Sequence, residues 1–319
     1  MGTGVRIAIV GSGALGGAFG AGFAAAGHDV VFVDVATSLV DALNERGLTI
    51  VGGEERTTIE VHATADPASV APAELVAVFV KAHATGDASA MLTPLLGPDS
   101  VLATLQNGLG AGDVLARDHA GTPIVCGVTY HAATMIEPGV VRHTVGPTYV
   151  GPRAGSEIGA AQRVAGACAD AGWPAEVMSD VAPAIWKKLL LNCTNAVAAL
   201  TGMNAGAEIA EPHVRRLLRE VVAEGIDVAT ALGHGGLDLD AYMREIDELL
   251  TRAGEGRASM LQDFDAGRRT EIDALNAAVV REAERLAVEV PINRALVALV
   301  KGWERMHGFG APDGAPELG

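Results

Sequence analysis

Residues 5–16 read Val-Arg-Ile-Ala-Ile-Val-Gly-Ser-Gly-Ala-Leu-Gly, and Asp34 lies 18 positions beyond the last of these glycines. An apolar strand runs into Gly11-x-Gly13-x-x-Gly16, a helix follows, and a second apolar stretch, Val30–Val33, ends in an acid. Each part of this pattern has a separate physical task. Gly11 permits a tight turn out of the strand. Gly13 lets a pyrophosphate approach bare backbone, and Gly16 lets the helix pack closely on the strand. The helix N-terminus presents free N–H groups and a positive dipole end to phosphates. A carboxylate at the tip of the second strand accepts hydrogen bonds from a ribose 2′-hydroxyl and repels a 2′-phosphate. A glycine-rich structural turn accounts for the glycines but not for Asp34. The pattern predicts a dinucleotide site made of Gly11, Ser12, Gly13, Ala14, Leu15, Gly16 and Asp34.

With 319 residues the chain has room for two domains, and its 49% hydrophobic content marks it as globular. A formal net charge of −16 argues against nucleic acid or an anionic membrane as partner. Cys126, Cys168 and Cys193 are odd in number and form no CxxC pair, which points away from disulfides and zinc and toward a reducing cytoplasm. The nine histidines show no HExxH or other metal spacing. No signal peptide and no bilayer-spanning run is evident.

The first half alternates strands and helices. Strands are predicted at Val5–Val10, Val30–Asp34, Leu75–Val80, Val101–Thr104 and Ile124–Val128, with helices starting near Ala14, Ser38, Thr85 and Gly112. Alternation of this kind predicts a mainly parallel sheet covered by helices on both faces. Residues 130–151 read as hairpin material that extends the sheet with antiparallel edge strands, followed by a helix over 156–171 and a short strand near Val177. Beyond about Ser179 the strand signals stop and helical periodicity takes over. One apolar face is spaced along Leu217–Ala229 and another along Ile272–Leu286. The fold class expected is α/β: a Rossmann-type N-terminal domain over 1–180 and an all-helical domain over 181–307, with a flexible tail over 308–319. Apolar-faced helices in the second domain could support a homodimer.

Ile185–Asn195 reads Ile-Trp-Lys-Lys-Leu-Leu-Leu-Asn-Cys-Thr-Asn, and on a helix Lys188, Asn192 and Asn195 share one face. A lysine beside two amides suits a polarised carbonyl, since it can hold a developing oxyanion and give it a proton. Desolvation near an apolar nicotinamide would lower its pKa. Spacing alone equally fits a solvated face. Taken alone, Ser259 reads as a helix cap and Glu271 as a surface acid. Arg268 and Arg269 read as partners of nearby acids, His131 as structural, and Asn276 as a buried structural amide.

Four segments together resemble the ketopantoate reductase family, over nearly the whole length. They are Gly11-Ser12-Gly13-Ala14-Leu15-Gly16; Val80-Lys81-Ala82 with Gln106-Asn107-Gly108-Leu109-Gly110; Trp186-Lys187-Lys188-Leu189-Leu190-Leu191-Asn192; and Ser259-Met260-Leu261-Gln262-Asp263 followed by Thr270-Glu271-Ile272-Asp273. The resemblance implies NAD(P)H-dependent reduction of a 2-keto acid, 2-dehydropantoate going to pantoate. Lys188 matches the catalytic proton donor, and Glu271 an acid at the reacting centre that also borders the cofactor. Asn192 and Ser259 match substrate contacts. Asn107 matches a residue near the nicotinamide ribose and substrate, and Lys81 a lysine near the cofactor.

Three departures stand out. NADPH-using relatives tend to carry an arginine just after the second strand, where this chain has Val35 preceded by Asp34; this favours NAD(H), with NADP(H) the alternative. The second substrate-binding asparagine falls at Asn195, one residue early, which only a helix irregularity or a compensating deletion would re-aim. Gly256 stands where many relatives have an asparagine. Asp34 and Gly256 leave a second reading open, a NAD-dependent 2-hydroxyacid dehydrogenase for another branched or aromatic substrate. A non-catalytic dinucleotide-binding redox sensor would keep the glycines but need not keep Lys188, Asn192, Ser259 and Glu271 together.

Overall fold

The computed structural model describes residues 4–53 and 55–309 and divides the chain into two compact units. The expected tail lies almost wholly outside these residues. Among the described residues, one unit comprises those up to 106 together with 110–184, and the other comprises 107–109 and those from 185 onward.

The first unit is built on an eight-stranded sheet. Its strands are β1 (Arg6–Val10), β2 (Asp29–Val33), β5 (His62–Thr64), β6 (Ala73–Val78), β7 (Leu96–Thr104), β8 (Ile124–Thr129), β11 (Thr148–Pro152) and β12 (Ala175–Val177). They run in the order β12-β11-β8-β7-β6-β1-β2-β5. All neighbours are parallel except β8 and β11, which are antiparallel. The central strands are apolar throughout, as a sheet covered on both faces requires: Ile7, Ala8, Ile9, Phe32, Val76 and Leu102 are fully buried. Helices α1 (Ala14–Ala25), α2 (Thr37–Arg46), α3 (Thr85–Ala90), α4 (Ala111–Asp118) and α5 (Ile158–Asp170) alternate with the strands.

A second sheet was not anticipated. It joins β3 (Leu48–Gly52) and β4 (Glu55–Ile59) to β9 (Ala132–Glu137) and β10 (Val140–Thr144), in the order β4-β3-β10-β9. The expected hairpin therefore exists as β9–β10, but it belongs to this sheet. β11 does join the main sheet antiparallel, yet it is not the edge, since β12 lies outside it. Helix α1 packs against this second sheet as well as the first, which explains its small residues. A Cβ on Gly20 would lie 2.4 Å from the Phe32 ring of β2, and one on Gly17 would lie 3.3 Å from Val141 of β10.

The second unit contains only helices among its described residues, continuing α6 (Ala182–Cys193) with α7 (Asn195–Thr201), α8 (Ala205–Ala210), α9 (Pro212–Ala231), α10 (Leu239–Ala253), α11 (Ser259–Asp265), α12 (Asn276–Leu286) and α13 (Pro291–Met306). Its core gathers Leu189, Leu190, Leu218, Val222, Val279 and Val300. The helix expected from Ile272 starts only at Asn276. Leu275 has ψ −106, outside the helical region, and the Glu271 carbonyl closes a turn on Ala274 and Leu275 N–H. The apolar spacing of 272–275 comes from packing of that turn, since Ile272 and Leu275 are both buried. No described helix is long and apolar enough to cross a membrane.

Candidate active site

In the first unit β1 delivers the chain into Gly11 at φ +92, a conformation that favours glycine. A Cβ on Gly16 would sit 2.0 Å from the Gly11 carbonyl oxygen, so the close approach of helix to turn depends on glycine there. A Cβ on Gly13 would meet nothing within 4 Å. The backbone is therefore bare and open at Gly13, the point where a pyrophosphate has to approach, and the loop fits a dinucleotide. Ser12 is buried, and Ala14 and Leu15 open α1.

Asp34 does not cap α2, whose N-cap is Ala36. One carboxylate oxygen accepts the Ser12 N–H at 2.7 Å and the other the Ala36 N–H at 2.9 Å. Each oxygen keeps a lone pair for a hydroxyl donor, and the bond to Ser12 fixes the acid against the glycine turn. Val35, which follows, is 73% exposed.

Lys81 is exposed and begins the turn after β6. Gln106 anchors that strand end. Its amide donates to the Val80 carbonyl at 2.6 Å and to Thr85 Oγ1 at 2.9 Å, while its oxygen accepts from Thr104 Oγ1 at 2.9 Å. A polar residue directly after an apolar strand was the only signal for it.

Asn107, Gly108 and Leu109 group with the helical unit. Gly108 has φ +85 and lies so close to the turn after Glu271 that a Cβ would be 2.2 Å from the Ala274 carbonyl oxygen, which also accepts the Leu109 N–H at 3.0 Å. The same unit brings Asn192 to Asn107, with Nδ2 donating to Oδ1 at 3.2 Å, and Asn195 to Ser259, with Nδ2 donating to Oγ at 3.3 Å. Ser259 is the first residue of α11 and makes no capping bond; Ala258 holds the cap position. Glu271 is buried, 6% exposed. Lys188 projects one turn before Asn192 on α6, and burial pulls its ammonium down to about 8.

The turn carrying Glu271 is held by Glu304, which sequence spacing alone does not bring to the site. Glu304 of α13 is fully buried, and one of its oxygens accepts both the Thr270 N–H at 2.8 Å and Thr270 Oγ1–H at 2.7 Å. Lys301 donates to its other oxygen at 3.0 Å. The signal available was a glutamate in register with Leu296, Val297 and Val300 on the buried face of an amphipathic helix. Arg268 pairs with Asp263, and Arg269 with Asp273.

The model for the ketopantoate reductase PanE/ApbA family matches residues 7–155, and that for its C-terminal domain matches residues 180–304. The chain belongs to the ketopantoate reductase family. It is 34% identical over 301 residues to a 2-dehydropantoate 2-reductase of Archaeoglobus fulgidus, covering 94% of this chain and 98% of that one. The crystal structure of a PanE/ApbA family ketopantoate reductase from Ralstonia eutropha superposes with a TM-score of 0.85 at 33% identity, over 95% of this chain and 99% of that one. D-mandelate dehydrogenase, in a ternary structure with NADH and anilino(oxo)acetate, shares the fold at a TM-score of 0.90 but is only 23% identical, over 95% of this chain and 99% of its own. Ketopantoate reductases are nicotinamide-dependent oxidoreductases, and this member has the Rossmann-type and helical parts of that architecture.

Proposed function

We propose that the enzyme reduces 2-dehydropantoate to pantoate with NADH, acting in the cytoplasm as a homodimer. The observation that supports the chemistry most directly is the grouping of Lys188, the Asn192–Asn107 pair, the Asn195–Ser259 pair and Glu271 in one helical unit. A bound reduced nicotinamide cofactor supplies the hydride to the keto carbon. As that carbon accepts hydride, its oxygen gains negative charge, and Lys188 stabilises the charge and delivers the proton. A lysine ammonium lowered to about 8 is well matched to this task near neutral pH. Asn192, Asn195 and Ser259 offer donors that orient the carboxylate and hydroxyl ends of the substrate, and Asn107 reaches both substrate and nicotinamide ribose. Glu271 places Lys188 and borders the cofactor, with Lys81 also on the cofactor side.

Asp34 supports NADH. Its carboxylate lies on the Ser12 N–H at 2.7 Å, where it can take a ribose hydroxyl and where a 2′-phosphate would meet a like charge. Three free cysteines fit a reducing compartment.

A panel of 2-keto acids that includes 2-dehydropantoate, assayed with NADH and NADPH, tests the reading. The expected result is the highest kcat/KM for 2-dehydropantoate with NADH. A clear preference for another keto acid overturns the substrate, and a clear preference for NADPH overturns the cofactor assignment.

A further inference from the structure

Asn195 lies three residues after Asn192, yet it reaches Ser259. The backbone shows how. α6 ends at Cys193 and α7 starts at Asn195, with Thr194 in a turn between them. Thr194 donates both N–H, at 3.1 Å, and Oγ1–H, at 2.6 Å, to the Leu191 carbonyl. In an unbroken α-helix the Val197 N–H would bond to the Cys193 carbonyl. Here it turns to the Thr194 carbonyl at 2.9 Å. The helix tightens locally, and the Cys193 carbonyl, fully buried in the unit's core, is left to find another donor.

That donor is Asn276. Its Nδ2 gives one hydrogen to the Cys193 carbonyl and the other to Asn293 Oδ1, both at 3.0 Å. Two acceptors on one NH₂ group fix which way the amide faces. Asn293 is held in turn, since its own Nδ2 donates to the Val221 carbonyl at 3.1 Å and to Glu224 at 2.8 Å. Glu224 also accepts the Ile292 and Asn293 N–H groups, at 2.8 and 2.9 Å. Asn276 and Asn293 are both fully buried. A rigid polar chain thus runs from α9 and α13, through the first residue of α12, to the break that separates Asn192 from Asn195.

From this geometry we infer that Asn276 is a positioning residue for substrate binding: by supplying the bond that an unbroken helix would make to Cys193, it holds the α6–α7 break that aims Asn195 at Ser259. The inference rests on the substrate role proposed for Asn195 and Ser259. Losing the Asn276 amide leaves a buried carbonyl without a donor and favours re-registration of the break. Asn195 then swings off Ser259.

The test is a double-mutant cycle on the full-length enzyme with Asn195→Ala, Asn276→Ala and the double variant, measuring kcat, KM and NADH affinity. Asn276→Ala should raise KM for the keto acid so that kcat/KM falls about 10- to 100-fold, as misplacement of a positioning group by about 1 Å does. NADH affinity should stay within about 3-fold, and in the Asn195→Ala background the same change should cost less than about 3-fold, the non-additivity of residues acting as a unit. Asn276→Ser, which can still donate one hydrogen bond, should recover part of KM. Full additivity, or loss of kcat with KM unchanged, overturns the inference. So does failure of both Asn276 variants to fold and bind NADH, which would make the amide core support only. If Asn195→Ala alone leaves KM unchanged, the substrate role of Asn195 fails; a large Asn195→Ala effect with an additive cycle refutes only the positioning role.

Discussion

Replacing Lys188 by methionine should abolish turnover and make the protein more stable. The side chain is partly buried on α6, and that burial lowers its ammonium from 10.5 to about 8. At 1.36 kcal/mol per pH unit, holding this ammonium charged in the fold at pH 7 costs up to about 3 kcal/mol relative to the unfolded chain. Methionine is close in length, carries no charge and tolerates irregular packing. With some water at the site, Lys188→Met should gain about 1–3 kcal/mol at pH 7. The sign follows from proton counts. Between about pH 8 and 10.5 the unfolded chain holds a proton on Lys188 that the folded chain has released. Stability of the wild type therefore rises with pH across this window relative to the variant. Urea unfolding of both proteins at pH 7 and pH 10 measures it: the variant's advantage should be full at pH 7 and down to about a quarter of that at pH 10. The wild-type kcat/KM for reduction should also fall above about pH 8, as the proton donor is lost. A variant no more stable than wild type at pH 7, with a stability difference that does not change with pH, would refute the desolvation argument.

Two further outcomes follow from the geometry. Asp34→Ala removes the acceptor fixed to Ser12 and should lower kcat/KM with NADH about 10- to 100-fold, the value of a hydrogen bond to a charged group. Adding Val35→Arg at the exposed neighbouring position should raise the NADPH rate above the NADH rate, read from parallel saturation curves. Glu304→Ala strands the buried Thr270 N–H and should cost about 1–3 kcal/mol in urea unfolding. In any folded fraction kcat should fall, because the turn bearing Glu271 loses its anchor.

The sequence was most legible where one residue type answers one backbone demand. Gly11 and Gly16 could be read because a positive φ and a 2.0 Å approach admit only glycine, and β1, β2 and β6 because strands buried on both faces are apolar throughout. β4 was illegible for the opposite reason: Glu-Arg-Thr-Thr-Ile has no buried face, and it is held by pairing with β3, including the Thr49–Thr58 hydroxyl contact at 2.8 Å. Spacing places Lys188, Asn192 and Asn195 on one helical face, and the structure breaks that helix between the two amides.

The break shows why residue spacing has limits as a guide to a site. A helix register is a prediction only while every carbonyl finds its partner four residues on. Thr194 draws the Leu191 carbonyl back to itself, and Asn276, more than 80 residues away, supplies the bond that the helix gives up. Asn195 meets Ser259 from beyond that break, as the first residue of α7. The bond from Asn276 to the Cys193 carbonyl is one that no local window of sequence contains. Asn276 stands at the end of a buried chain leading to the Asn195–Ser259 pair. The double-mutant cycle decides whether that chain transmits position or only stability. If Asn276→Ala loses its effect once Asn195 is gone, this family member has kept its substrate contact by moving the constraint from the helix into the core.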